Sequence, residues 1–290
     1  MPSRPTRVGA AAAEIAMPPA LAALAPSLAA HVDGRLAAAR HAFSTPERIA
    51  MSADDKAALA HAAEPPLRHE GIKLARWTLG RGPRVVLVHG WNGRGSQLLG
   101  FAGALVDAGF SATLFDLPGH GDSGGHACSV VHAGRALRSL LAATGEVHAI
   151  VGHSMGSAAA LLAFARGTQV RRSVHLAGPS SLTPMVKRQA AAHGLGPEEA
   201  AAFAGWVEGF IGTRLAYVDL DRLQHGLRHA GLIVHDPEDR TVPFAASQAL
   251  HKAWPGARLE PAPGLGHRRL VADADVVSRS VAFIAEDAAA

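Results

Sequence analysis

From residue 84 onward the chain repeats one pattern: a short unbroken apolar run, then a stretch with helical periodicity. The runs are RVVLV (84–88), ATLFD (112–116), HAIVG (148–152), SVHLA (173–177), LIVHD (232–236) and ARLEP (257–261). Helical spacing fills the intervals at about 96–108, 130–143, 155–166, 244–253 and 274–285. Apolar runs that do not alternate with polar residues suit strands covered on both faces. Strands alternating with helices predict an α/β fold, with a mostly parallel, doubly wound sheet and ligand sites at the carboxyl ends of its strands. Before the first run, LRHE and IKLARWTL straddle Gly71 as the arms of a β-hairpin.

Two regions depart from this rhythm. At the N-terminus, residues 1 to about 18 are expected to be flexible, and Leu21, Leu24, Leu28, Val32 and Leu36 then recur at helical spacing. A second helix is expected over about 46–62, where Ser44-Thr45-Pro46-Glu47 offers a cap followed by proline at the first helical position. Between Ser181 and Ala230 no strand is evident, and PEEAAAFAGWVEGFIG (197–212) sets Phe203, Trp206, Phe210 and Ile211 on one helical face. That face either packs a helix onto the sheet or belongs to a cap whose Phe203, Trp206 and Phe210 line an apolar substrate pocket. The expected organisation is an N-terminal helical extension (1–64), the first part of an α/β core (65–181), a helical cap (182–230) and the second part of the core (231–290).

The candidate chemistry centres on residues 147–164, VHAIVGHSMGSAAALLAF, which read as strand, sharp turn and alanine-rich helix around Gly152-His153-Ser154-Met155-Gly156. A serine at such a strand-to-helix turn projects its Oγ from the top of the sheet, and flanking glycines let helix and strand approach the turn. G-x-S-x-G alone is a weak pattern, and its context strengthens it. After the run 84–88, His89-Gly90-Trp91 places the Trp91 amide where it, with the Met155 amide, could donate to an oxyanion. HDPEDRTVPF (235–244) offers Asp236, Glu238 and Asp239 as the acid; Asp239 is favoured because it lies past the strand in a loop closed by Val242-Pro243, whereas Asp236 is read as a turn residue. GLGHRRL (264–270) sets His267 in a glycine-flanked loop after the last strand, as the base.

Composition narrows the class without changing this picture. With 48% hydrophobic residues and mean hydropathy of +0.12 over 290 residues, the chain reads as globular. Its 28 basic and 24 acidic residues are spread without runs, so no nucleic-acid footprint is expected. The single cysteine, Cys128, rules out an intramolecular disulfide and zinc-cysteine clusters and suits a cytoplasmic protein. Glu14, Pro18, Pro19 and Pro26 interrupt the apolar region of any N-terminal signal peptide. No stretch approaches the roughly 18 uninterrupted apolar residues of a membrane-spanning helix.

The strand-end segments HGW, DLPGHGDS (116–123), GHSMG, DPEDRTVP and GLGHRRL, in this order, resemble the α/β-hydrolase superfamily over about residues 70–285. The run HGWNGRGSQL, with FSTPER upstream, is similar to a bacterial, serine esterase-like branch of it. The resemblance implies Ser154 as nucleophile, His267 as base, Asp239 as acid, and Trp91 and Met155 as oxyanion donors. The substrate does not follow from the fold; no cofactor or metal and a small-molecule acyl substrate are the expectation. A carboxylic ester or thioester is the expected target. An amide, a carbon–carbon bond or peracid chemistry in the manner of cofactor-free haloperoxidases, and a non-catalytic binding role on the same fold, are the alternatives. Three features read as decoys. Gly121-Asp122-Ser123-Gly124-Gly125 matches the GDSGG string of trypsin-like proteases but sits in an α/β chain, where it reads as a loop. His225 and His229 have metal-pair spacing but no clear third ligand, which reads as a solvated helix face. Arg94 reads as a ligand of loop carbonyls in preference to a substrate carboxylate.

Overall fold

The computed structural model describes residues 34–286, so the expected helical positions Leu21, Leu24, Leu28 and Val32 lie outside the described residues. The strands are β1 (Ala63–His69), β2 (Ile72–Gly80), β3 (Arg84–Val88), β4 (Ser111–Phe115), β5 (Ala149–His153), β6 (Arg172–Leu176), β7 (Ala230–His235) and β8 (Ala257–Pro261). They form one eight-stranded sheet in the order β1-β2-β4-β3-β5-β6-β7-β8. β2 pairs antiparallel with β1 and β4, and every pairing from β4 to β8 is parallel. The helices are α1 (34–44), α2 (Ala53–Leu59), α3 (Leu99–Asp107), α4 (Val130–Thr144), α5 (Met155–Ala165), α6 (Leu182–Ala192), α7 (Pro197–Ile211), α8 (Leu220–Leu223), α9 (Phe244–Ala253), α10 (Gly266–Arg269) and α11 (Ala274–Ala285). Among the described residues no helix is long and apolar enough to cross a membrane.

The unbroken apolar runs are explained by two cores. Val86, Val88, Ile150 and Ile233 face a cluster with α4, α5, α6 and α7, while Val85, Leu87, Val151 and Val234 face a second cluster with α3 and α11. Alternate residues of each strand therefore enter opposite cores, and each fully buried Val, Leu or Ile contributes roughly 1.5–3 kcal/mol. Helix α5 is buried from Met155 to Phe164, and its alanines let it lie close to both sheet and α4. A Cβ on Gly134 of α4 would come within 2.8 Å of Leu162 Cδ2.

The expected hairpin forms across Glu70 and Gly71, both at positive φ (44° and 81°), as a two-residue turn with native twist requires. The expected helix over 46–62 is much shorter. It spans only Ala53–Leu59, capped by Ser52 accepting from the Asp55 amide at 3.0 Å, in place of a cap at Ser44 or Thr45. Residues 45–52 form no helix, and their polar groups bond instead to loops of the core: the Glu47 amide donates to Asn92 Oδ1 at 2.9 Å, and Arg48 reaches the Gly121 and Ser123 carbonyls at 2.6 and 2.7 Å. Pro65 and Pro66 lie inside β1, where the register shifts between Glu64 and Leu67; an edge strand with a bulge tolerates residues that lack an N–H.

Several histidines are buried in neutral networks. His175 Nδ1 faces Ser157 Oγ at 2.7 Å, its Nε2 faces Ser173 Oγ at 3.0 Å, and Ser173 Oγ faces His229 Nε2 at 2.8 Å. Burial pushes the pKa of His89 and His153 down to about 4 and that of His175 to about 3. As pH falls, the unfolded chain takes up protons on these groups near pH 6.5 while the folded protein stays neutral. Their contribution is therefore fully present above about pH 6.5 and is lost toward about pH 4, at up to about 1.4 kcal/mol per pH unit for each group. The urea midpoint is expected to fall between about pH 7 and about pH 5; a constant midpoint contradicts neutral burial.

Candidate active site

Ser154 follows β5 and caps α5 with φ 51° and ψ −118°, a conformation that costs a non-glycine residue on the order of 1–3 kcal/mol. The neighbours leave room for nothing else. A Cβ on Gly152 would come within 2.7 Å of Gly156 backbone atoms, and one on Gly156 within 2.2 Å of the Val88 carbonyl oxygen. The Ser154 amide donates to the Leu176 carbonyl at 2.8 Å, tying the turn to β6. Oγ is thereby held clear of the sheet, at 2.9 Å from His267 Nε2.

His267 Nδ1 in turn lies 2.7 Å from Asp239 Oδ2. A neutral ring with its proton on Nδ1 satisfies both contacts, donating to the carboxylate and accepting from the hydroxyl. The Asp239 side chain is fully buried. Its Oδ1 accepts from the Thr241 and Val242 amides at 2.7 and 3.0 Å, and its Oδ2 also accepts from His235 Nε2 at 3.0 Å. Burial pushes the Asp239 pKa up, but the His267 hydrogen bond and the amides together outweigh it and hold the carboxyl below its ordinary value.

Two supporting residues, His153 and His235, are not evident from the sequence alone, and Asp236 does more than the turn expected of it. His153 donates from Nε2 to the His267 carbonyl at 2.8 Å, so the residue before the serine fixes the backbone of the histidine loop. His235, the last residue of β7, bridges Ser247 Oγ at 2.7 Å and Asp239, four residues ahead of the carboxylate it braces. Asp236 makes the expected turn, accepting from the Glu238 amide at 2.8 Å, and its other oxygen accepts from the Gly266 amide next to His267. His153 stands within the serine pentapeptide and His235 lies on the acid loop, but only the packed sheet ends reveal which groups they touch.

The Met155 amide, first in α5, has no carbonyl a turn before it in the helix, and the helix N-terminus faces the Ser154 side. The Gly90-Trp91 backbone runs against the serine, since a Cβ on Gly90 would lie 3.0 Å from Ser154 Cβ. His89 holds this loop by donating to the Gly90 carbonyl at 2.8 Å and accepting from the Leu117 amide at 3.0 Å.

Two cavities meet at Ser154 and share Trp91 and Thr241. One, of about 280 Å³, is bounded by Phe43, Val130, Leu182, Met185, Val218 and Val242 among others, with no charged side chain in its wall. The second, of about 370 Å³, includes Asn92, Gln97, His153, His267 and Arg268. Phe203, Trp206 and Phe210, expected to line the pocket, do not: they stand behind Phe43, with ring centroids 5.9, 6.4 and 6.4 Å from it. Their helical face turns toward α1, which covers it.

The remaining sequence features take structural places. Arg94 is buried, donating to the Ile49 carbonyl at 3.0 Å and to Asp116 and Asp122 at 3.2 and 2.8 Å. Ser123 of the GDSGG string bonds the Asp116 carbonyl and the Ala75 amide, within a loop. His225 sits in a 3-10 turn, and His229 packs against Phe164 and Trp254, which corrects the solvated helix face. Among the described residues no group of three or more His, Cys, Asp or Glu side chains could hold a metal.

Comparison with known proteins places the fold. Residues 46 in number are 54% identical to the pimeloyl-[acyl-carrier protein] methyl ester esterase of Methylococcus capsulatus, a match covering 16% of this chain and 18% of that enzyme. The esterase Pf2001 of Pyrococcus furiosus superposes with a TM-score of 0.63 at 18% identity, over 83% of this chain and 98% of that one. Est1E from Butyrivibrio proteoclasticus, solved with bound ferulic acid, gives a TM-score of 0.59 at 17% identity, over 78% of this chain and all of the other. At these identities the structural likeness speaks to the fold. The family model for the alpha/beta hydrolase fold matches residues 83–229, just over half of the chain and inclusive of Ser154. On that match, and on a mostly parallel eight-stranded sheet carrying a strained serine at the end of β5, the chain belongs to the alpha/beta hydrolase fold family.

Proposed function

We propose that the protein is a serine hydrolase that cleaves a carboxylic ester or thioester through an acyl-enzyme. The observation that carries this reading is the unbroken line from Ser154 Oγ to His267 at 2.9 Å and from His267 to the buried Asp239 at 2.7 Å. In this mechanism His267 Nε2 takes the Ser154 proton as Oγ attacks the acyl carbonyl, and Asp239 stabilises the imidazolium that forms. The Trp91 and Met155 amides hold the tetrahedral oxyanion, at about 2.7–3.1 Å from its oxygen. His267 then protonates the departing alcohol or thiol, and the reverse sequence with water releases the acid.

The two cavities suit a division of the substrate about Ser154. The uncharged cavity, near the lower end of the roughly 300–1,000 Å³ of small-molecule sites, suits a short or medium apolar acyl group beneath the helices of 182–230, which act as a cap. The second, with Asn92, Gln97 and Arg268, suits a polar leaving group and the incoming water. The short stretch shared with a methyl ester esterase and the esterases among the structural relatives favour the ester side of the reading.

Ser154→Ala is expected to lower p-nitrophenyl butyrate turnover by at least about 10⁴-fold, as loss of a triad nucleophile does. Activity within about tenfold of wild type would overturn the assignment. His235→Phe removes a donor to a buried carboxylate, a bond worth about 1.5–3 kcal/mol. It is expected to lower kcat about 10- to 100-fold, because the carboxylate that orients His267 loses one of its fixed donors. An unchanged kcat would show that His235 only fills space.

A further inference from the structure

We propose that Phe43, carried by the N-terminal helix α1 and outside the stretch matched by the family model, is a specificity-determining wall of the acyl cavity, so that the N-terminal extension limits the length of the uncharged acyl chain accepted. The inference rests on the reading of Ser154 as the acylated residue. Phe43 and Ala42 line the same cavity as Ser154 and Met155. Behind it, Trp206 stacks on Phe203 at 6.2 Å and on Phe210 at 5.3 Å, and Phe43 meets all three rings edge-on. Arg40, one turn earlier on α1, lies over the Trp206 ring at 5.7 Å. Phe43 is therefore a half-buried ring with a packed aromatic backing on one side and the cavity on the other.

The segment that follows is fastened to the loops around the serine, which makes the wall a fixed one. The Ser44 carbonyl accepts from the Cys128 amide at 2.8 Å, next to Ser129 and Val130 of the cavity wall. The Glu47 amide donates to Asn92 Oδ1 at 2.9 Å, and Asn92, at φ 52°, adjoins Trp91. Arg48 donates to the Gly121, Ser123 and Gly125 carbonyls at 2.6, 2.7 and 2.6 Å. Ile49 accepts from Arg94 at 3.0 Å. The segment is thus held at residues 44, 47 and 49 through backbone groups and at Arg48 through its side chain. These contacts register Phe43 against the cavity and the Trp91 loop together.

The test uses Phe43→Ala, Phe43→Leu and Phe43→Trp in the full-length protein, with two readouts. In the active protein, the ratio of kcat/KM for p-nitrophenyl dodecanoate over butyrate is expected to rise about tenfold or more in Phe43→Ala and to fall in Phe43→Trp, since an apolar pocket discriminates by about 10- to 200-fold per methylene. In the same variants carrying Ser154→Ala, calorimetric binding of straight-chain methyl ketones of matching lengths, which needs no chemistry at Ser154, is expected to shift the same way. Should Phe43→Ala fail to fold, the Leu and Trp variants carry the test with opposite expected signs. A long-to-short binding ratio unchanged within about twofold across folded variants overturns the proposal, whatever the esterase activity. A shift in binding without any ester turnover keeps Phe43 as the cavity wall and removes the acyl-enzyme reading instead.

Discussion

The backbone of Ser154 is the constraint on which the site depends. A serine at φ 51° and ψ −118° is held there only because the turn is closed from every side. β5 pairs with β3 and β6, so the strand cannot slide. α5 is buried along almost its whole length, so the helix cannot tilt away. Gly152 and Gly156 let those elements meet, and the Val88 carbonyl occupies the place a Cβ on Gly156 would need. Two consequences follow from the same geometry: the hydroxyl stands above the sheet, and the helix N-terminus offers its amides beside it.

The electrostatics follow the same economy. Within the Ser154–His267–Asp239 line the Asp239 carboxylate is met by Thr241, Val242, His235 and His267 donors. A buried carboxylate so solvated by fixed dipoles stays ionised and orients His267 with no water to compete. In the proposed mechanism the imidazole that receives the Ser154 proton becomes the partner of a charge already in place. Around this line the buried histidines His89, His153 and His235 remain neutral and serve as hydrogen-bond struts between loops.

Much of this was legible in the sequence, and for a definable reason. Strands buried on both faces must be largely apolar, so the runs of β3 to β7 stand out in the sequence, whereas the edge strand β8 is only partly buried. The turn at Gly152 to Gly156 and the order Ser154, Asp239, His267 were local or ordered features, and the fold brings those three side chains into one line. What stayed hidden depends on contacts between residues far apart in the chain. Residues 45–52 carry good helix-start signals, yet form no helix there, and Asn92, Arg94 and the 121–125 carbonyls bind them instead. The aromatic face of α7 is correctly periodic, but its partner is Phe43 and not the cavity, which only the placement of α1 decides. His225 and His229 share a metal-like spacing, yet a turn separates them, and one of them belongs to a polar chain under α5.

The most direct test of the central claim is intact-mass spectrometry after incubation with a fluorophosphonate, on wild type and Ser154→Ala side by side. An activated serine predicts one adduct per wild-type chain, located on the Ser154 peptide, and none on the variant. Equal labelling of both proteins, or none of either, would contradict the assignment of Ser154 as the nucleophile.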